Sequence, residues 1–485
     1  MPSPLPESWS ARLALDRAHI WHPFTQMKEH ETDPPIPVIS GEGCDLLLAN
    51  GNRVLDGISS WWTCLHGHAH PKLMAALERQ GAKLDHVMFA GLTHEPALEL
   101  VARLRPKLPP NLTRCFFSDN GSTAVEVALK MAFQAQLQKG QAQRTRFGAL
   151  HMGYHGDTLG AVGVGELDNF MTGLFRPLLL RCDRLAVPED PRREMNAVMN
   201  KGDRPVASLP LRPPRAPHAV SGQSPATASN LEGWEAILES ARLGIRSFFE
   251  SHGNELAAFI AEPLLQAAGG MRMWPPELLV ELRHQCDAHG VYLILDEVMT
   301  GFGRTGSFLA HTQAGIQPDL LCLSKGLTGG VLPLSLTWAT DEIYGCFWAD
   351  YADGKAFLHG HSYTANPMAC AVACASLALF GEEPVMEKAA ELGQAMASAW
   401  SRLAELPSIR RPRILGTVAA AQLVDPSTGE RHALESRFGW RLHRRALEAG
   451  LLIRPIGDCL YFMPPLGTPP SRAEEAVETI TYLLK

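Results

Sequence analysis

The sequence contains no uninterrupted apolar run of the roughly 20 residues needed to cross a bilayer, so no membrane-embedded segment is expected. It has no surplus of basic residues either. Lys and Arg total 44 against 51 Asp and Glu, giving a net charge of −7 and a sequence pI of about 6.3. That balance argues against a general nucleic-acid binder, which carries a basic face or stripe. The stretch Met1–Ile20 lacks an apolar core and contains Glu7 and Asp16. Neither a secretory signal nor a transit peptide fits it, so a cytoplasmic location is expected. The ten cysteines form no CxxC pair and no repeating frame. This excludes a disulfide scaffold and points to free thiols in a reducing compartment.

What is present suits a large globular protein. The chain has 485 residues, 46% hydrophobic and 20% charged, enough for two or three domains. Near the N-terminus, Asn50-Gly51 lies between Asp45–Leu48 and Arg53–Asp56, predicting a hairpin with a type I′ turn. From 66 to 379, strand-like runs (114–118, 259–261, 291–295, 319–323) alternate with helical patterns (123–137, 276–289). This alternation predicts an α/β domain with a mainly parallel sheet flanked by helices. Beyond it the pattern becomes helix (382–405), short strands (413–424), helix (434–449) and a strand-like end (451–463). Residues 380–485 and 1–65 are therefore expected to form one small α+β domain. Eight prolines between Pro188 and Asn230, with no apolar period, mark 188–230 as a surface insertion.

Two strand ends carry the chemistry. Val291–Leu295 runs into Asp296-Glu297, and Pro318–Ser324 runs into Lys325-Gly326. Charged residues at the ends of buried runs are paired or functional. A lysine amine and a carboxylate side by side are what pyridoxal phosphate chemistry takes from a protein. Upstream, Asp119-Asn120-Gly121-Ser122-Thr123 follows a strand and opens a helix, a ready anion site in which Ser122 also suits an N-cap. His66, His68 and His70 alternate, but Gly67 and Pro71 break any regular strand there, so no metal site is expected.

Ala261-Glu262-Pro263, Leu295–Val298, Gly301-Phe302-Gly303-Arg304-Thr305-Gly306 and Ser324–Gly330, in this order and spacing, resemble the class III (ω-) aminotransferases. The resemblance covers nearly the whole chain. It implies the type I fold of pyridoxal-phosphate-dependent transferases and pyridoxal 5′-phosphate as cofactor. Lys325 is then the residue that holds the cofactor aldehyde and moves the proton, and Asp296 pairs with the ring nitrogen. Gly121 and Ser122 cradle the phosphate, Tyr154 stacks on the ring with Asp157 in support, and Arg304 is a supporting residue. The loop His359–Pro367 implies a homodimer in which Ser362, where threonine is usual, reaches the partner's phosphate.

Four further stretches narrow the resemblance: Ile20–Met27, Gly57–Trp62, Gly269–Arg272, and Leu452–Pro455 with Tyr461–Pro465. They look like the biotin-pathway branch of the family, whose members aminate 8-amino-7-oxononanoate to 7,8-diaminononanoate in two half-reactions. Trp61 and Trp62 would wall the pocket, and Arg454 would hold the distal carboxylate. The donor positions point two ways. Phe24, where adenosylmethionine users carry tyrosine, resembles a lysine-using branch, whereas Trp61-Trp62 resembles the S-adenosylmethionine branch. The pocket wall favours S-adenosylmethionine, with lysine as rival. Another class III ω-aminotransferase specificity is the remaining alternative.

Overall fold

The computed structural model describes residues 5–166, 172–195 and 233–485. Most of the proline-rich stretch expected as an insertion lies outside the described residues.

A seven-stranded sheet is the centre of the molecule. Its strand order is Leu112–Ser118, Ser335–Thr340, Leu320–Leu323, Tyr292–Asp296, Leu256–Ala261, Arg146–Leu150, Cys182–Leu185. Ser335–Thr340 runs antiparallel to both neighbours, and the other neighbouring pairs are parallel. Successive side chains on a strand face opposite ways, and here both faces are covered. Leu293, Leu295, Leu321, Leu323 and Phe259 enter one core with Leu278, Leu282 and Phe249 of the helices Pro276–His289 and Trp234–His252. Ile294, Leu320, Cys322 and Ile260 enter another with Ala124, Ala128 and Ala132 of the helix Gly121–Gln138. Two-sided burial explains why these strands read as continuous apolar runs rather than alternating ones.

The two chain ends meet. Arg53–Asp56 pairs in parallel with Leu451–Leu452, and Met463 N–H donates to Gly57 O at 2.7 Å. A second, antiparallel sheet of Ile409–Leu415, Val418–Leu423 and Cys459–Phe462 sends Ala420, Tyr461 and Val418 into the main core. Its other side packs Ala419, Ala421 and Phe462 against Trp400, Met396, Val477 and Ile480.

Several local expectations need correction. The turn at Asn50-Gly51 is not type I′, because only Gly51 takes a positive φ, of 87°. Gly51 N–H donates to Leu48 O at 3.0 Å, so the tight turn spans 48–51, with the left-handed glycine following its two central residues. The helix read over 382–405 is Val385–Ser401 followed by a tighter turn, Arg402–Glu405; Glu382 instead ends the preceding helix, Pro367–Glu382, and Glu383-Pro384 separates the two, since proline cannot continue a helix. Helix Phe438–Glu448 starts later than 434, after Arg437 turns left-handed. The strand Ser335–Thr340 and helix Pro470–Leu484 were not anticipated.

Gly416, between two strands of the C-terminal sheet, has φ 58°, and an added Cβ would lie 2.5 Å from Arg304 O and Gly306 N. Gly416→Ala is expected to destabilise the protein by about 2–4 kcal/mol, combining a left-handed penalty with a backbone clash. Denaturant titration of the cofactor-loaded enzyme checks this, and a loss below about 0.5 kcal/mol, the range of a neutral surface change, would refute it.

Candidate active site

The strands Tyr292–Asp296 and Leu320–Leu323 are parallel neighbours, with Asp296 paired opposite Cys322. Beyond Cys322 the chain leaves the sheet through Ser324, whose hydroxyl donates to Leu334 O at 2.8 Å. Lys325 then takes a φ of 45° and opens a short turn, Lys325–Thr328. A non-glycine residue held there stores strain, which is tolerated where the surroundings over-determine it. Lys325 Nζ lies 5.0 Å from the Trp62 ring centroid. Among the described residues it has no hydrogen bond or ion pair. Burial lowers its pKa, opposed by Asp296 and Glu262, which moves the amine toward its nucleophilic form.

The acidic side is denser than the sequence suggested. Asp296 Oδ1 accepts Val298 N–H at 3.1 Å, and Oδ2 accepts from His155 Nδ1 at 2.8 Å. His155 is buried and was not singled out from the sequence, although it lies beside Tyr154. Glu262 ends the wholly buried strand Leu256–Ala261 and accepts Tyr154 N–H at 3.0 Å and Ala267 N–H at 2.9 Å. Burial pushes its carboxyl up to about 7, Asp296 adds to the rise, and His155 opposes it. The signal that found Asp296, a charge closing an apolar strand, was equally present at Glu262.

The helix Gly121–Gln138 starts with a capping box between Asn120 and Thr123. Ser122 is therefore not the N-cap; it lies within the first turn. Thr123 and Ala124 amides bond Asn120. The amides of Gly121 and Ser122 have no acceptor among the described residues. Ser122 Oγ accepts Thr158 N–H at 3.0 Å and lies 2.7 Å from Thr158 Oγ1. Gly156 passes so close to Ser122 that a Cβ has no room. Glu126 accepts Gly160 N–H at 2.7 Å and Ala161 N–H at 3.2 Å, fastening 158–161 to this helix. Tyr154 OH donates to Asp157 Oδ1 at 3.0 Å, which sets the ring's rotation. Free amides at a helix start, an oriented aromatic ring, a buried carboxylate and an unpartnered amine suit pyridoxal phosphate in all its parts.

A pocket wall stands beside the amine. Ser59, Ser60, Trp61 and Trp62 have φ of 49°, 45°, 68° and 75°, one left-handed turn. Such a turn costs about 1–2 kcal/mol per residue. Trp62 is buried and meets Tyr461 edge-on at 6.1 Å. Trp61 is 40% exposed. It packs against Phe24 at 5.5 Å, and the Arg454 guanidinium lies 5.4 Å from its centroid and 5.6 Å from that of Trp440. Arg454 is half-buried, has no carboxylate partner among the described residues, and burial lowers its pKa.

Other candidates take different places. Arg304 is buried, donates to Pro464 O at 2.6 Å and Cys64 O at 3.3 Å, and burial pushes it down to about 10. Ser362 is exposed, on the loop whose Thr364 hydroxyl donates to His361 O at 2.8 Å. Glu297, unassigned from sequence, accepts Ala310 and His311 N–H at 2.7 and 2.9 Å and holds the turn Ala310–Ala314. His66, His68 and His70 turn to three partners, Ser376, Asp56 and Glu383. Asp16, His22 and His30 bring donor atoms within 4.8 Å, and both Asp16 carboxylate oxygens engage His22 Nε2 at 3.0 and 3.2 Å. Among the described residues no single helix is long and apolar enough to cross a membrane.

Comparison with known proteins agrees with this chemistry. The family profile "Aminotransferase class-III" matches residues 26–484. Adenosylmethionine-8-amino-7-oxononanoate aminotransferase of Synechococcus elongatus is 43% identical over 466 residues, 96% of this chain and 98% of the relative. The protein of that name from Nitratidesulfovibrio vulgaris is 40% identical over 98% of this chain and 82% of its own length. The crystal structure of the Methanocaldococcus jannaschii protein of that name superposes with a TM-score of 0.84 at 30% identity, covering 98% of each chain. A PLP-bound amine transaminase from an uncultivated Pseudomonas species gives 0.81 at 29% identity, covering 96% of this chain and 98% of its own.

Proposed function

The chain belongs to the class III aminotransferases and is a pyridoxal-phosphate-dependent enzyme, and on that premise we propose that it converts 8-amino-7-oxononanoate to 7,8-diaminononanoate in biotin synthesis. An aminotransferase takes an amino group from an amino acid or amine donor and delivers it to a keto acceptor. The observation that carries the acceptor is Arg454, a half-buried guanidinium with no carboxylate partner among the described residues, set between Trp61 and Trp440. A substrate carboxylate on an apolar tail answers both the charge and the wall. Eight curated relatives, at 33–43% identity, bear the name adenosylmethionine-8-amino-7-oxononanoate aminotransferase.

When bound, pyridoxal phosphate supplies an aldehyde that takes up the amino group and a ring that accepts electrons. Lys325 Nζ would hold that aldehyde, and the same amine, once free, would move the proton at the substrate carbon. Asp296, oriented by His155 and Val298 N–H, presents negative charge to the ring nitrogen. Gly121 and Ser122 amides hold the phosphate at the positive end of their helix. Tyr154, fixed through Asp157 and Glu262, sets the ring plane. Trp62 excludes water beside the lysine, and Arg304 holds the neighbouring backbone by two carbonyls. We place the enzyme in the cytoplasm, in keeping with all ten cysteines being free.

Arg454→Ala should lower kcat/KM for 8-amino-7-oxononanoate by a factor worth about 2–4 kcal/mol, the range for an unpaired charge. Its methyl ester should lose far less. Equal losses on both would assign Arg454 to the fold.

We further propose a homodimer with composite sites, in which the exposed Ser362 serves the partner's phosphate. Lys325→Ala and Ser362→Glu should each abolish turnover, while mixed, exchanged subunits recover activity because one site of each hybrid is intact. Proven exchange without recovery would rule out sharing.

S-adenosylmethionine is the proposed donor, with the double tryptophan wall as support. Phe24 keeps an aromatic contact with Trp61 but offers no hydroxyl, so lysine is the competing donor. Each is added alone to the loaded enzyme, and the deaminated product is measured in a single turnover. One equivalent per site from S-adenosylmethionine is expected; product from lysine alone would reverse the choice.

A further inference from the structure

The left-handed turn at Ser59–Trp62 needs something to hold it. None of its residues is glycine, and Ser60 and Trp61 have ψ of 54° and 46°, within the left-handed helical region. Asp56, fully buried, lies three residues before Ser59. Its Oδ2 accepts the Ser60 hydroxyl at 2.7 Å and faces His68 Nε2 at 2.8 Å, and its Oδ1 accepts Ile58 N–H at 3.3 Å. The far side is held by Ser59 Oγ donating to Met463 O at 2.7 Å. The turn closes on itself through Trp62 N–H to Ile58 O and Thr63 N–H to Ser59 O, both 2.9 Å.

This hand decides where the two indoles go. One ring meets Lys325 and Tyr461; the next meets Arg454 and Phe24. Adjacent residues thus serve the two ends of the pocket, the reacting amine and the carboxylate-binding cation. A relaxed right-handed turn would redirect both rings.

We propose that Asp56, clamped by Ser60 and His68, is a positioning residue for the reaction. It holds Ser59–Trp62 left-handed and thereby sets the spacing between the Lys325 and Arg454 ends of the substrate pocket. The proposal rests on the acceptor reading given above. Burial pushes the Asp56 carboxyl up, but hydrogen bonds from His68 and Ser60 outweigh it and leave it below the usual range. The same contact pushes His68 up to about 10, so the clamp is a charged pair at neutral pH.

The test uses the cofactor-loaded enzyme labelled with 5-fluorotryptophan, its 19F signals assigned through Trp61→Phe and Trp62→Phe. In Asp56→Asn the Trp61 and Trp62 signals should move while those of Trp234 and Trp400 stay. KM for 8-amino-7-oxononanoate should rise about 10- to 100-fold, the scale of a misplaced binding group, with kcat changed much less. Ser60→Gly in that background should restore both in part, because glycine takes positive φ without steric cost. If Asp56→Asn does not fold, His68→Ala is read in the same way. Unmoved Trp61 and Trp62 signals with unchanged KM would overturn the proposal. So would a uniform shift of all ten tryptophans with kcat and stability falling together, the mark of a general structural role. If the natural enzyme does not turn over 8-amino-7-oxononanoate, the acceptor reading fails, while the fluorine signals still decide the clamp.

Discussion

Charge buried at the carboxyl edge of the sheet is the constraint around which the molecule is arranged. Asp296 and Glu262 close neighbouring strands, and Lys325 follows the next one. Unpaired, each would cost several kcal/mol to bury. The protein compensates with local donors: His155 and Val298 N–H for Asp296, Tyr154 N–H and Ala267 N–H for Glu262. Of these three groups only the amine has no hydrogen bond or ion pair among the described residues, and that is the group the proposed chemistry needs free. Giving the acids hydrogen-bond donors while the base has none biases Lys325 toward attack.

Backbone strain is also stored at this centre. Phe24, Ser59–Trp62, Met152, Met271, Phe302 and Lys325 all have positive φ without being glycine. Of these, Ser59–Trp62 form the pocket wall and Lys325 opens the turn beside it; Ala69, Leu264, Ala365, Arg411 and Arg437 carry the same strain elsewhere in the chain. The compensation is again specific: Ser324 bonds Leu334 O, and Asp56 and Met463 grip the tryptophan turn. Rigid placement of side chains at unusual angles requires such grips, because a flexible loop would relax.

The fold class was readable because buried parallel strands leave an unmistakable apolar signature, and each delivers its charged residue at a fixed end. Asp296 and Lys325 were legible for that reason. His155 and Thr158 were not, since nothing in a Gly-Tyr-His-Gly-Asp-Thr run says which side chain turns toward the strand ends. Only the additional reading of Ser122 as an N-cap failed, because Asn120, two residues earlier, takes that place and accepts Thr123 N–H. Ser335–Thr340 escaped notice because its alternating small and apolar residues resemble a surface strand, whereas it is wholly buried between antiparallel neighbours. The left-handed tryptophan turn had no sequence signal at all, as it contains neither glycine nor asparagine.

Strand Arg53–Asp56 finds one neighbour beside it in sequence and the other, Leu451–Leu452, some four hundred residues later. On a ribosome adding about 5–20 residues per second, the first strand emerges roughly 20–80 s before the second. During that interval Val54, Leu55 and the tryptophan turn, all destined for burial or for the pocket, have only half of their eventual surroundings. The wall beside Lys325 is therefore among the last parts of the molecule to take shape, and it completes only after Leu451, Leu452 and Met463 have been made. A nascent chain of this enzyme must be protected at its beginning by whatever awaits its end.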